Sequence, residues 1–528
     1  MSAALVPTRS SRGAGPRRQG TPAVLVAAVV LLAGCSLPSA SNGSPVPVTP
    51  TARMSAAPST DPAQQPRFAA FYGQKPTWTG CDQGFECTTV KVPVDWDAPT
   101  AATLDLAVIR RKATRHRIGS LLINPGGPGV SGVSWVRQSV SGYGQALRES
   151  FDMVGWDPRG IGSSGQIKCL PNDQLDAYLS TDPTPDDAAE RSELVRTSEE
   201  FAAGCRLRTG SLLAHADTLS TVKDMDVLRA VLGDRTLSYF GASYGTFLGA
   251  WYAQTFPWRV GRLVLDGAVD PSLDAKGYIE GQAMGFARAI EAYLADCLKQ
   301  QRCPLRGTVD EARAQLDQLI ERADAQPLPT SSGGRRLTQA LLITGVVQGM
   351  YAPSLWPRLT DALTRAMQGD GTGLLELADL YYERDSSGRY GEVVQSNVPI
   401  FCLDHPENRT LDQIARDAAV LGRRYTELGE AIGWGAITCE NWPIKPVLTP
   451  QRLTAQGAAP ILVVGSTGDP ATPYEWAKSL AGQLSSARLL TREGLGHTGY
   501  GESVCVNDAV DAYLVSGTLP PDGTVCDT

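Results

Sequence analysis

Ser243 stands in Gly241-Ala242-Ser243-Tyr244-Gly245, a G-x-S-x-G spacing that leaves almost no side-chain bulk around one hydroxyl. The pattern suits a serine on a tight strand-to-helix turn, where only small neighbours avoid a clash and Oγ stands clear as a nucleophile. A hydroxyl is a weak nucleophile until a base takes its proton, so a histidine and an acid to orient it are required. The chain has four histidines. His116 lies in a charged loop, His215 precedes Asp217-Thr218, and His405 falls in a helical stretch. His497, in Gly494-Leu495-Gly496-His497-Thr498-Gly499, follows the last strand-like run and comes after the serine. It is the expected base. Asp469, in Gly468-Asp469-Pro470, fits the chain order serine, acid, histidine. Its rival is Asp266, which ends the run Leu263-Val264-Leu265-Asp266 one strand earlier.

Acyl transfer also needs donors for a developing oxyanion. Asn124-Pro125-Gly126-Gly127-Pro128-Gly129 directly follows the apolar run Leu121-Leu122-Ile123. Glycines there let backbone N–H groups face the oxyanion, together with the N–H of Tyr244, the residue after the nucleophile. In Trp156-Asp157-Pro158-Arg159-Gly160, Asp157 and Arg159 are expected to brace the loop under the nucleophile rather than to react.

Something must hold these segments at one place. Eight short apolar runs read as strands: 88–96, 104–111, 119–125, 151–157, 237–243, 261–267, 460–466 and 487–493. Helical stretches separate many of them, among them 220–233 before the serine strand and 245–256 after it. Continuous apolar runs imply strands covered on both faces, hence an α/β chain with a mostly parallel sheet and crossover helices. Between Pro271 and about Gln451 the pattern turns helical, which predicts a large α-helical lid inserted between two late strands.

The 528 residues carry a net charge of −7 and lack a basic footprint, which excludes nucleic acid as a partner class. Residues 1–34 read as an export signal: Arg9, Arg12, Arg17 and Arg18, then the apolar run Ala23–Ala33, too short to span a bilayer. Leu32-Ala33-Gly34-Cys35 resembles the bacterial lipobox, in which the cysteine is acylated and becomes the mature N-terminus. Residues 35–76 then read as a flexible Ser/Pro-rich linker. Eleven cysteines are awkward for an exported chain, but lipid on Cys35 leaves ten. Local spacing pairs these as Cys81–Cys87, Cys169–Cys205, Cys297–Cys303, Cys402–Cys439 and Cys505–Cys526, in an oxidising compartment. No C-x-x-C pair with nearby histidines suggests a metal, and the chemistry calls for no cofactor.

The motifs NPGGPG, DPRGIGSSG, YFGASYGT, LVLDGAVDP, GDPATP and GLGHTGY, in this order, resemble the actinobacterial tripeptidyl-aminopeptidase-like branch of the prolyl-aminopeptidase group of α/β-hydrolases. Mycobacterial cell-envelope serine proteases of the same type are also similar. The likeness runs from about Trp78 to Cys526. It implies an α/β-hydrolase fold with an eight-stranded, mostly parallel sheet: residues 77–271 and 452–528 as core, 272–451 as helical lid. It also implies a triad of Ser243, Asp469 and His497, and an oxyanion hole made by the N–H groups of Gly127 and Tyr244. The related prolyl aminopeptidases carry HGGPG, whereas this chain has Pro125 at the histidine's place. The implied activity is release of short peptides from a free N-terminus; with the lipobox reading of Cys35, the protein is expected to be lipid-anchored on the outer face of the cell membrane. The substrate ammonium then needs carboxylates, for which Glu383, Asp385, Glu392 and Asp404 are candidates. Two other readings use the same residues differently: a carboxylesterase or lipase with the same triad, and a non-catalytic surface binding lipoprotein.

Overall fold

The computed structural model describes residues 60–527. The export segment, Cys35 and the linker up to residue 59 lie outside the described residues. The rest of the expected linker is folded. Asp61 caps the short helix Pro62–Gln64 and pairs with Arg259 at 2.5 Å, while Phe68 and Phe71 are buried in the main core. Two aromatic anchors and a buried ion pair override the polar composition that reads as a spacer.

All eight expected strands form one sheet, with two short additions at its edges. In chain order they are β1 (Thr79–Gly80), β2 (Glu86–Pro93), β3 (Thr103–Arg111), β4 (Gly119–Asn124), β5 (Phe151–Trp156), β6 (Leu237–Ala242), β7 (Val260–Asp266), β8 (Ile461–Gly468), β9 (Ala487–Leu495) and β10 (Val525–Cys526). The order across the sheet is β1-β2-β3-β5-β4-β6-β7-β8-β9-β10. Strands β2 and β3 are antiparallel, and β5 through β10 run parallel with β4. The two-residue edge strands exist where disulfides hold the chain against its neighbour. Cys81–Cys87 closes the turn between β1 and β2, and Cys505–Cys526 ties β10 to the helix after β9. Two residues carry too little pattern to announce a strand.

Successive side chains of a strand point to opposite faces. Leu122, Tyr239, Leu263 and Val463 accordingly pack on one face, against the helices Thr218–Val231, Tyr244–Thr255 and Tyr474–Gln483. Leu121, Ile123, Phe240, Val264 and Val464 pack on the other, against Gly132–Ser139 and Val504–Ser516. Double burial explains the continuous apolar runs. The chain steps from β4 outward to β5 and then back across β4 to β6, so a crevice opens beyond the C-terminal ends of β4 and β6. NPGGPG follows β4 and Ser243 follows β6.

Between β7 and β8 the chain is helical, and Gln451 N–H donates to the Pro271 carbonyl at 3.0 Å. Its long helices include Ala275–Cys297, Gln339–Met350, Val393–Asp404 and Leu411–Trp434. They have their own core, in which Leu294, Leu342, Leu359 and Leu374 are fully buried. A second excursion, between β5 and β6, joins this layer. Its helix Ala188–Thr209 is tied by Cys169–Cys205, and the N–H groups of Cys169 and Leu170 donate to Gln395 Oε1 at 2.7 and 3.0 Å. All ten remaining cysteines form the five expected disulfides.

Candidate active site

Ser243 has φ 55° and ψ −125°, a left-handed backbone that a side chain adopts only when neighbours enforce it. Its N–H donates to the Asp266 carbonyl at 2.8 Å. Its own carbonyl accepts from Thr246 N–H at 2.8 Å and from Thr246 Oγ1 at 2.6 Å. The hydroxyl itself makes no hydrogen bond among the described residues and does not cap the helix it precedes. The helix Tyr244–Thr255 begins here, so its N-terminal dipole favours negative charge beside Oγ.

The glycine loop closes on this turn. Gly126 has φ 98°, and a Cβ there would lie 2.6 Å from the Ala242 carbonyl oxygen and 2.8 Å from Ser243 Cβ. Only glycine permits that approach. Asn124 supports the loop, since its buried Oδ1 accepts from Gly126 N–H at 2.9 Å. The N–H groups of Gly127 and Tyr244 have no acceptor among the described residues. Asp157 holds the following helix by accepting from Ser131 Oγ at 2.6 Å and Val133 N–H at 3.2 Å. Arg159, fully buried, is bidentate on Asp224 and ties down the carbonyls of Pro93, Val94 and His215. Both residues brace, but what they hold is the helix after the glycine loop and the chain at Pro93, Val94 and His215 rather than the turn of Ser243.

His497 and Asp469 meet. The imidazole Nδ1 lies 2.9 and 3.0 Å from the two carboxylate oxygens, and the ring is 7% exposed. Asp469 also accepts from the N–H groups of Ala471, Thr472 and Thr498 and from Thr472 Oγ1, so its direction is fixed. With Nδ1–H given to Asp469, the ring's lone pair is left on Nε2. Asp266 has a different role. Its oxygens accept from Gly499 and Tyr500 N–H at 2.8 Å each, holding the loop that carries the histidine. Burial pushes its carboxyl up to about 6. A Cβ on Gly267, the next residue, would lie 3.3 Å from His497 Cε1. Ser243 and His497 therefore flank one short segment, Asp266-Gly267. The Oγ-to-imidazole hydrogen bond is not formed in this state; such bonds often tighten only with substrate bound.

The other histidines are elsewhere. His116 is exposed. His215 offers its carbonyl to Arg159, and His405 is buried against Phe401, Phe247 and Tyr278, with burial pushing it down to about 4.

The four candidate carboxylates have separate fates. Asp385 is spent in an exposed turn on Ser387 and Arg389. Asp404 is sealed beneath the nucleophile turn, accepting from Thr218 N–H at 2.9 Å and Thr218 Oγ1 at 2.7 Å. Thr218 Oγ1 in turn accepts from the Tyr244 hydroxyl at 2.6 Å. Burial pushes Asp404 up to about 8. Glu392 accepts from Gly162 N–H, and its neighbouring charges include Asp157 and Glu383. Val393, the residue after Glu392, lies against Gly129 of the glycine loop, and Glu383 stands beside Gly391 and Glu392.

Sequence reasoning missed Asn124, Tyr351 and Asn397. Tyr351 accepts His497 N–H at 2.8 Å and sets its ring 5.5 Å from the imidazole. Asn397 Nδ2 donates to the Pro128 carbonyl at 3.3 Å. Asn124 was legible as the first letter of NPGGPG; the other two lie in helical text with no local mark.

Residues 425–526 match the family described as TAP-like protein. Over 481 residues the chain is 37% identical to the serine protease Hip1 of Mycobacterium tuberculosis, covering 86% of this chain and 91% of that protein. It is 35% identical to carboxylesterase B of the same organism, over 83% of this chain and 86% of that one. It is 33% identical to a tripeptidyl aminopeptidase of Streptomyces coelicolor, over 84% and 83%. With a sheet, nucleophile turn and histidine loop of this form, the chain belongs to the tripeptidyl-aminopeptidase-like family of α/β-hydrolases.

Proposed function

We propose that this protein is an exported serine peptidase that releases short peptides from the free N-terminus of its substrates. The observation that carries the reading is that the Asp469-oriented imidazole and the unbonded Ser243 hydroxyl flank one segment, Asp266-Gly267, with the uncommitted N–H groups of Gly127 and Tyr244. Ser243 Oγ attacks the scissile carbonyl while His497 Nε2 takes its proton. The N–H groups of Gly127 and Tyr244 receive the oxyanion, each such donor being worth about 2.7–4 kcal/mol in the transition state. The imidazolium returns the proton to the leaving amine, and water then cleaves the acyl-enzyme by the same route. Glu392 and Glu383 meet the substrate ammonium. The names of two relatives, serine protease and tripeptidyl aminopeptidase, support peptide bonds as the substrate. Five disulfides support an oxidising compartment outside the cytoplasm, and a lipid on Cys35 would hold the enzyme at the membrane surface.

A second reading, carboxylesterase, is favoured by the relative of that name and uses the same triad. Hydrolysis of free and N-acetylated peptides beside simple esters separates the two. The peptidase reading expects cleavage of free peptides and none of acetylated ones; ester cleavage alone would favour the second. A fluorophosphonate probe should label the protein and fail on Ser243→Ala, which should also lose at least about 10⁴-fold in kcat. Equal labelling of both would remove the enzyme and leave a binding protein.

A further inference from the structure

The parallel strands β4 to β9 all begin at one edge of the sheet, and the Ser243 turn stands at the other, where β6 ends. The edge where they begin receives the N-terminal part of the folded chain. Asp61 pairs there with Arg259, the residue before β7, and Arg259 also faces Asp226 at 3.3 Å. The Tyr72 hydroxyl donates to Asp226 at 2.9 Å, and Phe68 and Phe71 enter the core between these two ties. The six residues of β6 put about 20 Å between this edge and Ser243.

The same edge carries residues 110–118, RRKATRHRI, from the end of β3 to the start of β4. Five of these nine are Arg or Lys and none is acidic, in a chain of net charge −7. Arg111, Lys112, Arg115 and Arg117 are exposed, as is Ile118 at 44%. β4 and β7 are two strands apart, so Ile118 and Arg259 precede strands separated by about 10 Å. Glu86, Glu149, Asp152 and Asp234 pair with part of this charge. Arg111 lies over the Phe85 ring and Arg148 donates to the Tyr143 carbonyl, and neither has a carboxylate partner among the described residues. Beside the His497 loop the exposed charges are instead Glu493 and Glu502.

We propose that the edge where the strands begin rests on an anionic lipid surface, so that the catalytic edge opens away from the membrane that holds the protein. This rests on the lipid anchor at Cys35 and is independent of the choice between peptide and ester. Arginine and lysine gain from the negative potential of an anionic leaflet, and Ile118 gains by leaving water. The same potential repels Glu493 and Glu502. Twenty-five residues separate Cys35 from Asp61. A random coil of that length reaches about 25–30 Å, whereas a folded unit of this size is about 60 Å across. The tether therefore favours the edge at which it joins the fold; turning the catalytic edge to the lipid requires stretching it round the body. Substrates then arrive from the aqueous side rather than out of the enzyme's own bilayer.

The mature, acylated protein on vesicles of phosphatidylcholine, with or without phosphatidylglycerol, tests this. Acetylation of Lys112 by a water-soluble reagent should slow at least about fivefold on the anionic vesicles and recover near 0.5 M salt. Lys299, exposed in the helical insertion, should react equally on both. A fluorophosphonate dye on Ser243 should keep its emission when the vesicles carry a headgroup-level quencher lipid. Arg111→Glu/Arg148→Glu should remove the slowing at Lys112 while fluorophosphonate labelling keeps its wild-type rate; the wild-type readouts stand without this variant. Equal reactivity of Lys112 on both vesicles, or quenching of the dye, overturns the proposed orientation. Failure of the mature protein to float with neutral vesicles overturns the anchor itself and the proposal with it, whatever its hydrolytic activity.

Discussion

The C-terminal edge of the sheet and the helical layer above it meet at the same site but are built by different rules. At the sheet edge, each functional group is set by backbone: a hydrogen bond from Ser243 N–H to Asp266, positive φ at Ser243 and Gly126, and main-chain donors around Asp469. In the helical layer the relevant groups are side chains on separate helices, meeting through single contacts such as Asn397 to Pro128 or Gln282 to Ala471. Backbone geometry tolerates little variation and suits groups whose placement sets the rate. Side-chain contacts between helices can be exchanged one at a time and suit the choice of substrate. Disturbing the edge should therefore lower kcat for every substrate alike, and disturbing the layer should change KM and selectivity.

Gly126→Val is the sharpest way to break this contrast. Its side chain must displace the Ala242 carbonyl or Ser243 Cβ, opening the oxyanion hole. A fall of about 10²–10³ in kcat is expected for peptides and esters equally. A loss confined to KM would mean the loop serves binding instead. The double variant Cys402→Ser/Cys439→Ser unclips the helix Val393–Asp404 from its neighbour. It should lose about 2–5 kcal/mol in chemical denaturation, and raise peptide KM more than it lowers the rate of fluorophosphonate labelling. Equal losses in both would show that the layer also positions the nucleophile.

Asn397→Ala removes one hydrogen bond between layer and glycine loop, worth about 0.5–1.5 kcal/mol. A two- to twelvefold rise in peptide KM with little change in kcat is the expected steady-state result. Asp404→Asn concerns stability against pH rather than turnover. The folded protein holds this carboxyl's proton up to about 8, whereas an unfolded aspartate releases it near ~3.9. Its contribution to stability is therefore full at acid pH and is lost as pH rises through 8. Asparagine does not titrate, so melting temperatures of variant and wild type should diverge progressively between pH 4 and 8, the variant gaining. Parallel curves would mean that Asp404 stays ionised in the fold.

Legibility followed the same division. Ser243 was readable because a left-handed serine turn demands glycine at fixed offsets, and NPGGPG because close backbone approach demands the same. The eight strands were readable because burial on both faces leaves continuous apolar runs. The disulfides followed from proximity along the chain. Residues 61–76 misled, since composition does not register that Phe68 and Phe71 have a core to enter.

What the chain alone determined is whatever depends on dihedral angles, spacing and order: the tight turn of Ser243, the glycine loop after β4, the parallel sheet and the helical interruption after β7. Tertiary structure alone decided between Asp469 and Asp266, since both end strands and only packing shows which one reaches the imidazole and which holds its loop. It also decided that Asp404 is sealed in the interior on Thr218 while Asp385 is held in an exposed turn on Ser387. The physical reason is range. Local rules act through neighbours in sequence, whereas a choice between equivalent side chains depends on partners hundreds of residues away.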